Sequence, residues 1–501
     1  MNDHDSLVKI AGGAGIVFIG CLFSKILGYF YVLILARLGS YKFGLLNIGF
    51  GVYAIVGIIA LLGLNTGVLR YVSFYKAKND KNKIKGAIVS ALQIALPLSL
   101  LLSSIIFIFA NQIASLFHDN NLVLILRIMI IGVPFFVLGN IFIHVLRAYH
   151  KIGYAVGARE VIEKIVNISI TLILFYFGLN IYGASIAYTV AAVSTFVISF
   201  YLMEKKVFSI FSKIKTYYYR NEMVKYSLPL VLTGFFFMII RWVNTFILGY
   251  FKDASYVGIY NVSLSTADLM YLAPMALTTL SFPIMTERYS KSENKDLKAI
   301  YDTTTKWIFL VIIPIYLVFF FFSKNILGIM FGNEYSKGAL TLSILAAGYI
   351  LCSLSKTATD ILSIAKKTKI IFYITLVAAI INVMLGFILV PKYNLIGAAL
   401  STSISFTIMG VLFFYYAYKI SNLQPIKWVY LKSFILGLIS IIIVYTLSTI
   451  IKLSIYKLVF LLLLFLVIYL VLLYLFKCLD NQDKLIIKSF LQKIKYKNGN
   501  F

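Results

Sequence analysis

The chain has 501 residues, of which 61% are hydrophobic and only 13% charged. Soluble domains run near half apolar and about 25% charged, so the composition argues against soluble domains and fits a polytopic membrane protein. Forty-six Lys and Arg against eighteen Asp and Glu leave a net charge of +28, a sign that suits nucleic acid until the position of the cations along the chain is considered. Cys21, Cys352 and Cys478 are too widely separated for metal or redox spacing.

A bilayer span needs about 20 apolar residues. Fourteen segments qualify, at about 8–36, 43–69, 86–110, 122–146, 153–177, 181–203, 223–250, 255–286, 303–323, 338–362, 369–390, 394–418, 429–450 and 455–476. The first is too long for a signal-peptide core and lacks a cleavage motif, so it is expected to be a retained helix. Lys and Arg collect after the even-numbered spans. With Lys9 and the tail, those connections hold 33 of the 46 basic residues, against eight after odd spans. The positive-inside rule then predicts a multi-pass cell-membrane protein with both termini cytoplasmic. The net charge is thereby mostly topology, and no nucleic-acid partner is expected.

The sequence repeats itself. Ile34 to Asn47 (ILARLGSYKFGLLN) returns as Ile247 to Asn261 (ILGYFKDASYVGIYN), and Asn180 to Ala184 (NIYGA) returns as Asn394 to Ala398 (NLIGA). Both pairs end at one common offset, and Pro97 and Pro314 nearly share it. An offset of six spans preserves orientation and predicts two parallel repeats. The expected fold is all-α, with an N-lobe at 1–204, a C-lobe at 223–420, two extra helices at 421–476 and a basic tail at 477–501. The linker at 205–222 alternates lysines with Val207, Phe208, Ile210, Phe211 and Ile214. That pattern suits an amphipathic helix lying on the membrane, with a plain polar linker as the other reading.

This organisation resembles the multidrug/oligosaccharidyl-lipid/polysaccharide flippase superfamily. The resemblance rests on six plus six plus two spans, on Ala36, Arg37, Leu38, Gly39 and Gly44 after span 1, and on Tyr226 to Leu230 opening span 7. Val257 to Tyr260 entering span 8 and Pro283 near its end are most similar to the polysaccharide-exporter branch, as in O-antigen and teichoic-acid export. The resemblance implies a V-shaped pair of bundles, a cavity lined by spans 1, 2, 7 and 8, and alternating access for lipid-linked oligosaccharides. Many members carry an acidic residue in the region of span 7 where this chain has Asn244.

An ionisable residue at mid-membrane is costly and marks a candidate site. Lys25 and Arg241 are lone cations in spans 1 and 7, each 16 residues from a basic-side lysine, Lys9 and Lys225. They can form a cationic floor for a lipid phosphate or sit in structural ion pairs. Asp268 in span 8 is the natural counter-charge, as a displaceable partner, a proton-coupling group or a static salt bridge. In span 5, Glu160 and Lys164 stand i,i+4 and, with Glu163, are candidates for a gate or a structural pair. Asn47 and Asn261 are repeat equivalents that can bind sugar hydroxyls or bond between helices, and Arg70 can face the cavity mouth. Arg127 is expected to snorkel to the interface. The prolines within spans are expected to favour kinks.

The chain has no G-x-x-x-x-G-K-[ST] phosphate loop and no metal-ligand spacing. A transporter without cofactor or metal is therefore expected, acting on an anionic lipid-linked saccharide among membrane lipids, with glycan-assembly enzymes as candidate partners. The alternatives are an ion-coupled multidrug exporter, which favours an acidic cavity, and a polysaccharide polymerase or ligase, which needs a large catalytic outer loop.

Overall fold

The computed structural model describes residues 3–423, 427–450, 455–478 and 483; most of the basic tail at 477–501 lies outside them. Among the described residues the chain is helical, with no strand. In order the helices are α1 (Asp3–Ala36), α2 (Ser40–Leu61), α3 (Leu64–Ala77), α4 (Lys81–Ile108), α5 (Ala110–Leu116), α6 (Asn121–Ile130) and α7 (Val133–Ala148). Next come α8 (Ile152–Val156), α9 (Glu163–Tyr176), α10 (Asn180–Lys206), α11 (Arg220–Phe251), α12 (Ala254–Ala267) and α13 (Leu272–Ser290). The last six are α14 (Asn294–Phe321), α15 (Ser323–Phe331), α16 (Ala339–Ile364), α17 (Thr368–Ser421), α18 (Trp428–Ile450) and α19 (Ile455–Leu475). Among the described residues, twelve helical stretches are long and apolar enough to cross a bilayer. One of the twelve, α17, contains two helices merged across Asn394, and the segment from Ile152 to Tyr176, broken by a π-turn at Gly157–Ile162, falls outside the count.

The interruptions have local causes. Span 2 breaks at Leu62 and Gly63, both left-handed, and span 8 breaks at a 3-10 turn, Asp268–Tyr271. Pro134 and Pro274 fall in the first turn of α7 and α13, where a missing N–H costs no helical bond. Pro97, Pro283 and Pro314 lie inside helices. Left-handed backbone recurs along the chain. Asn79 and Ser292, His118 and Gly332, His150 and Lys366, and Asn180 and Asn394 all have positive φ, and each pair spans nearly the same stretch of chain as the sequence repeat.

The expected amphipathic helix in the linker does not form. Residues 207–219 are irregular, because their polar groups find other partners. Ser209 and the Ile210 N–H both donate to Glu204, Lys85 donates to the Ser212 carbonyl at 2.6 Å, and the Tyr219 N–H donates to Ser90 at 2.9 Å. Gly86 admits the linker closely: any side chain there would strike the Tyr217 carbonyl.

The side of the bundle carrying the Lys- and Arg-rich connections expected from the sequence is called here the basic face. At the opposite face, α2 and α12 cross backbone to backbone. A Cβ on Gly44 would collide with the Ala254 carbonyl, and one on Gly258 with the Ser40 carbonyl. Ala254 is the repeat equivalent of Ser40, and Gly258 that of Gly44, so the contact is reciprocal. Glycine permits this approach as it does between membrane helices generally. The contact is reinforced from the α15–α16 connection. Glu334 accepts from the Ser40 N–H at 3.0 Å and the Ser40 hydroxyl at 2.8 Å. Tyr335 donates to the Ala36 carbonyl at 2.9 Å, and Arg37 to the Met330 carbonyl at 3.2 Å. A carboxylate at a helix N-terminus is favoured by the exposed N–H groups and the dipole.

Candidate functional site

Below this seal, α1 from the first half of the chain faces the α12–α13 break from the second. Lys25 lies eleven residues before the end of α1, about 16 Å of helix. Asp268 lies fourteen residues after the start of α12, about 21 Å. Helix geometry thus brings both to similar depth, and Lys25 Nζ lies 2.9 Å from Asp268 Oδ2. One turn along, the Tyr29 hydroxyl is 3.2 Å from Thr266 Oγ1, a second bond between the same helices. Tyr349 on α16 donates to Asp268 Oδ1 at 3.0 Å. The carboxylate therefore has a partner on each oxygen.

The pair is not sealed away. The Lys25 and Asp268 side chains are 44% and 31% exposed, and both line a cavity of about 360 Å³. Ser24, Cys21, Tyr29, Ser265, Glu160 and Lys164 also line it. Two lysines and two carboxylates thus share one chamber reached from α1, α9, the π-turn and the α12–α13 break.

Arg241 on α11 stands beside this chamber and is not among its lining residues. Its guanidinium lies 5.0 Å from the Trp242 ring, and its Nη1 is buried with no hydrogen-bond partner among the described residues. It is close enough to act electrostatically on both Asp268 and Tyr349. A buried guanidinium nitrogen lacking an acceptor is costly.

The π-turn alters the expected span-5 pairing. Its i→i+5 bonding takes Glu160 and Lys164 out of i,i+4 register. Glu160 instead lies 3.9 Å from Arg159, and Lys164 3.9 Å from Glu163. Glu163 also accepts from Thr195 on α10 at 3.2 Å. Arg159 turns the other way, donates to Asn140, and lines a second cavity of about 360 Å³. Asn65, Thr66, Asn140, Tyr53 and Tyr188 line that cavity too, with Val231, Gly234 and Met238 of α11 as its far wall.

Asn47 and Asn261 are elsewhere. Asn47 is buried and donates to the Phe43 carbonyl at 2.7 Å. Asn261 is buried and donates to the Val257 carbonyl at 3.0 Å and to Thr245 at 3.1 Å. Neither lines the two cavities above. Arg70 is exposed on α3, with its guanidinium 4.0 Å from the Tyr226 ring of α11. Arg127 lies 5.3 Å from the Phe107 ring, with its Nε buried and unpartnered among the described residues. Asn244 is fully buried, donating to Asn382 at 3.1 Å and Thr402 at 2.8 Å and accepting from Ser401 at 3.0 Å. An amide serves both roles there, and a carboxylate can only accept. Sequence reasoning missed Tyr349 and Glu334. Tyr349 gives no signal among 36 tyrosines, whereas Glu334 is a rare acid in a short connection on an acid-poor chain.

The family of polysaccharide biosynthesis proteins matches residues 10–289, more than half of the chain. The chain belongs to that family. The MatE family matches residues 229–388. A probable lipid II flippase of Borreliella burgdorferi is 26% identical over 84% of this chain and 86% of its own length. A putative O-antigen transporter of Shigella flexneri is 22% identical over 73% of this chain and 89% of its own. A probable low-salt glycan biosynthesis flippase of Haloferax volcanii is 28% identical over 41% of this chain and 42% of its own. Among solved structures, a lipid II flippase in an inward closed conformation superimposes with a TM-score of 0.74 at 18% identity, covering 92% of this chain and 98% of that one. An inward-facing multidrug transporter of the MATE family gives 0.68 at 17% identity, covering 79% and 94%. This polysaccharide biosynthesis protein is thus a multi-pass membrane protein with the fold shared by those two transporters.

Proposed function

We propose that the protein flips a lipid-linked, anionic saccharide from the cytoplasmic to the outer leaflet by alternating access, for cell-surface glycan assembly. The observation that carries this reading is the half-exposed Lys25–Asp268 pair, which joins the two halves of the chain across a mid-membrane chamber. A phosphate or pyrophosphate entering that chamber competes with Asp268 for Lys25 and finds Lys164 on its wall and the unsatisfied Arg241 behind it. Charge-assisted bonds of this kind replace the water a phosphate loses on entry. Release of Asp268 unlinks α1 from the α12–α13 break, which couples occupancy to movement of the halves. In this reading the halves are lobes at 1–204 and 223–420, the basic face is cytoplasmic, and both termini lie there. Glu160, Glu163 and Lys164 adjust the chamber's charge. The reciprocal Gly44–Gly258 crossing and the recurring left-handed turns support a two-fold relation between the lobes. Relatives named as a probable lipid II flippase, a putative O-antigen transporter and a probable glycan biosynthesis flippase support the substrate class.

The test is reconstitution into liposomes with a fluorescent lipid-pyrophosphate sugar. Wild type is expected to translocate it, and Lys25→Ala combined with Arg241→Ala to fail. Absence of translocation by wild type under every ion gradient removes the flippase reading, and normal rates in the double variant remove the cationic floor. The MatE match over residues 229–388 favours a second reading, ion-coupled export of small organic cations. Gradient-driven uptake of an organic cation dye that requires Asp268, without lipid translocation, supports that one.

A further inference from the structure

A separate polar cavity of about 290 Å³ opens at the basic face, between the first turns of α14 and the residue preceding α18. That is near ten times the roughly 30 Å³ a water takes in the liquid. Lys295, Lys298, Asp302, Thr303, Lys306 and Lys427 line it. Its deep end is built from buried charge. Lys306 is 6% exposed and pairs with the fully buried Asp483, which also accepts from the Trp307 indole at 2.9 Å. Lys427 lies 2.9 Å from Asp302. With those carboxylates committed, Lys295 and Lys298 are left over: both are exposed at the rim, one helical turn apart, and neither enters an ion pair among the described residues. Among the described residues, the cavity therefore carries a surplus of two positive charges around the Thr303 hydroxyl.

Its depth is marked independently. Trp428, the first residue of α18 and the neighbour of Lys427, is 78% exposed. A tryptophan turned out of the protein at a helix end beside a basic connection belongs at headgroup level. We propose that this cavity binds the phosphate of an anionic phospholipid, with Lys295 and Lys298 as donors and Thr303 as the neutral donor between helix and rim. The lipid, rather than soluble phosphate, is the occupant because Trp428 holds the mouth in the layer where lipid phosphates are concentrated. Basic pockets between helices on the cytoplasmic side have the charge and placement for this. The site is distant in sequence and separate in lining from the Lys25 chamber, so it stands whether or not the flippase reading does.

The test uses the full-length protein, delipidated in mild detergent and titrated with dioleoyl phosphatidylglycerol or dioleoyl phosphatidylcholine under native mass spectrometry. Wild type is expected to retain one phosphatidylglycerol in preference to phosphatidylcholine. Lys295→Ala/Lys298→Ala breaks no ion pair among the described residues and is expected to weaken that retention about 30-fold, at the usual worth of a lysine near an anionic surface. Lys295→Arg/Lys298→Arg is expected to keep it. Equal retention of the two lipids, or undiminished phosphatidylglycerol binding in the alanine variant, overturns the site. Displacement of phosphatidylglycerol by inorganic phosphate at equal concentration overturns the lipid assignment.

Discussion

Two of the contacts between the halves of the chain are chemically different. At the opposite face the contact is backbone on backbone, with Gly44 against Ala254 and Gly258 against Ser40. At mid-depth it is side chain on side chain, through Lys25–Asp268 and Tyr29–Thr266. The first is steric: it closes fully or not at all, since no rotamer relieves a carbonyl pressed on a Cα. The second is electrostatic and graded. A pair this exposed is worth only about 0–1 kcal/mol, whereas a fully desolvated one resists removal of a partner by roughly 3–5 kcal/mol. A phosphate can compete with the former. In the proposed mechanism the seal sets which states exist, and the charged junction sets how readily an anion moves the protein between them.

The comparison breaks most visibly at the seal. Gly44→Ala or Gly258→Ala places a methyl on a carbonyl. Overpacking costs about 1–3 kcal/mol even where side chains can yield. A backbone neighbour cannot, so the closed state is expected to lose about a hundredfold in population or more. Cys21 lines the chamber and reports this directly. In a Cys352→Ser/Cys478→Ser background, an impermeant maleimide added at the opposite face is expected to label Cys21 in the glycine variants and not in the parent. Wild-type translocation by Gly44→Ala would show that the seal is dispensable.

The next largest effect belongs to the charged junction. Lys25→Ala removes one charge-assisted bond to a phosphate, about 1.5–3 kcal/mol, so translocation is expected to fall about 10- to 100-fold. The reversed pair Lys25→Asp/Asp268→Lys separates two roles. If the pair only ties α1 to α12, the reversal restores rate. If Lys25 meets the substrate, the reversal stays as slow as Lys25→Ala, because its cation has moved toward Arg241.

How far this junction was legible in the sequence depends on the kind of signal. Lys25 and Asp268 stand out because a charge is rare inside apolar runs, and helix rise places them at similar depth. The seal is visible only as a repeated glycine, since Gly44 and Gly258 reveal their function when each is seen facing the other's repeat. Glu160 and Lys164 mislead, because the i,i+4 rule assumes an α-turn and Gly157–Ile162 is a π-turn. The linker misleads for a related reason: its periodicity is amphipathic, yet Glu204, Lys85 and Ser90 take its backbone bonds. Asn47 and Asn261 look like sugar ligands by type, yet both are buried and donate to groups inside the protein. Periodicity finds helices; it does not say which polar face is already satisfied.

Glu334 tests whether the seal has an electrostatic component of its own. Glu334→Ala removes both bonds to Ser40 at the start of α2, a loss typical of a helix cap at about 0.5–2 kcal/mol. Cys21 labelling from the opposite face is then expected to rise about 2- to 30-fold. Glu334→Gln keeps an acceptor and loses the charge, about 0.3–1 kcal/mol, so its rise should be smaller. Equal labelling in both variants would assign the effect to charge rather than to hydrogen bonding.

The smallest effect is expected at the basic face, where the halves meet again. Arg70 of α3 lies over Tyr226 of α11, and Gly63 and Gly67 admit Ser227 closely beside it. An exposed cation–π contact is worth about 0.5–1 kcal/mol. Arg70→Gln is therefore expected to raise Cys21 labelling from the basic face only about 2- to 5-fold, with Tyr226→Leu matching it and the double variant adding nothing further. Non-additivity is the signature of a shared contact. A substrate role for Arg70 predicts the reverse pattern: a loss of translocation beyond tenfold that Tyr226→Leu does not reproduce. The exposure of Arg70 and its ring partner favour the junction, and the two variants measured together decide it.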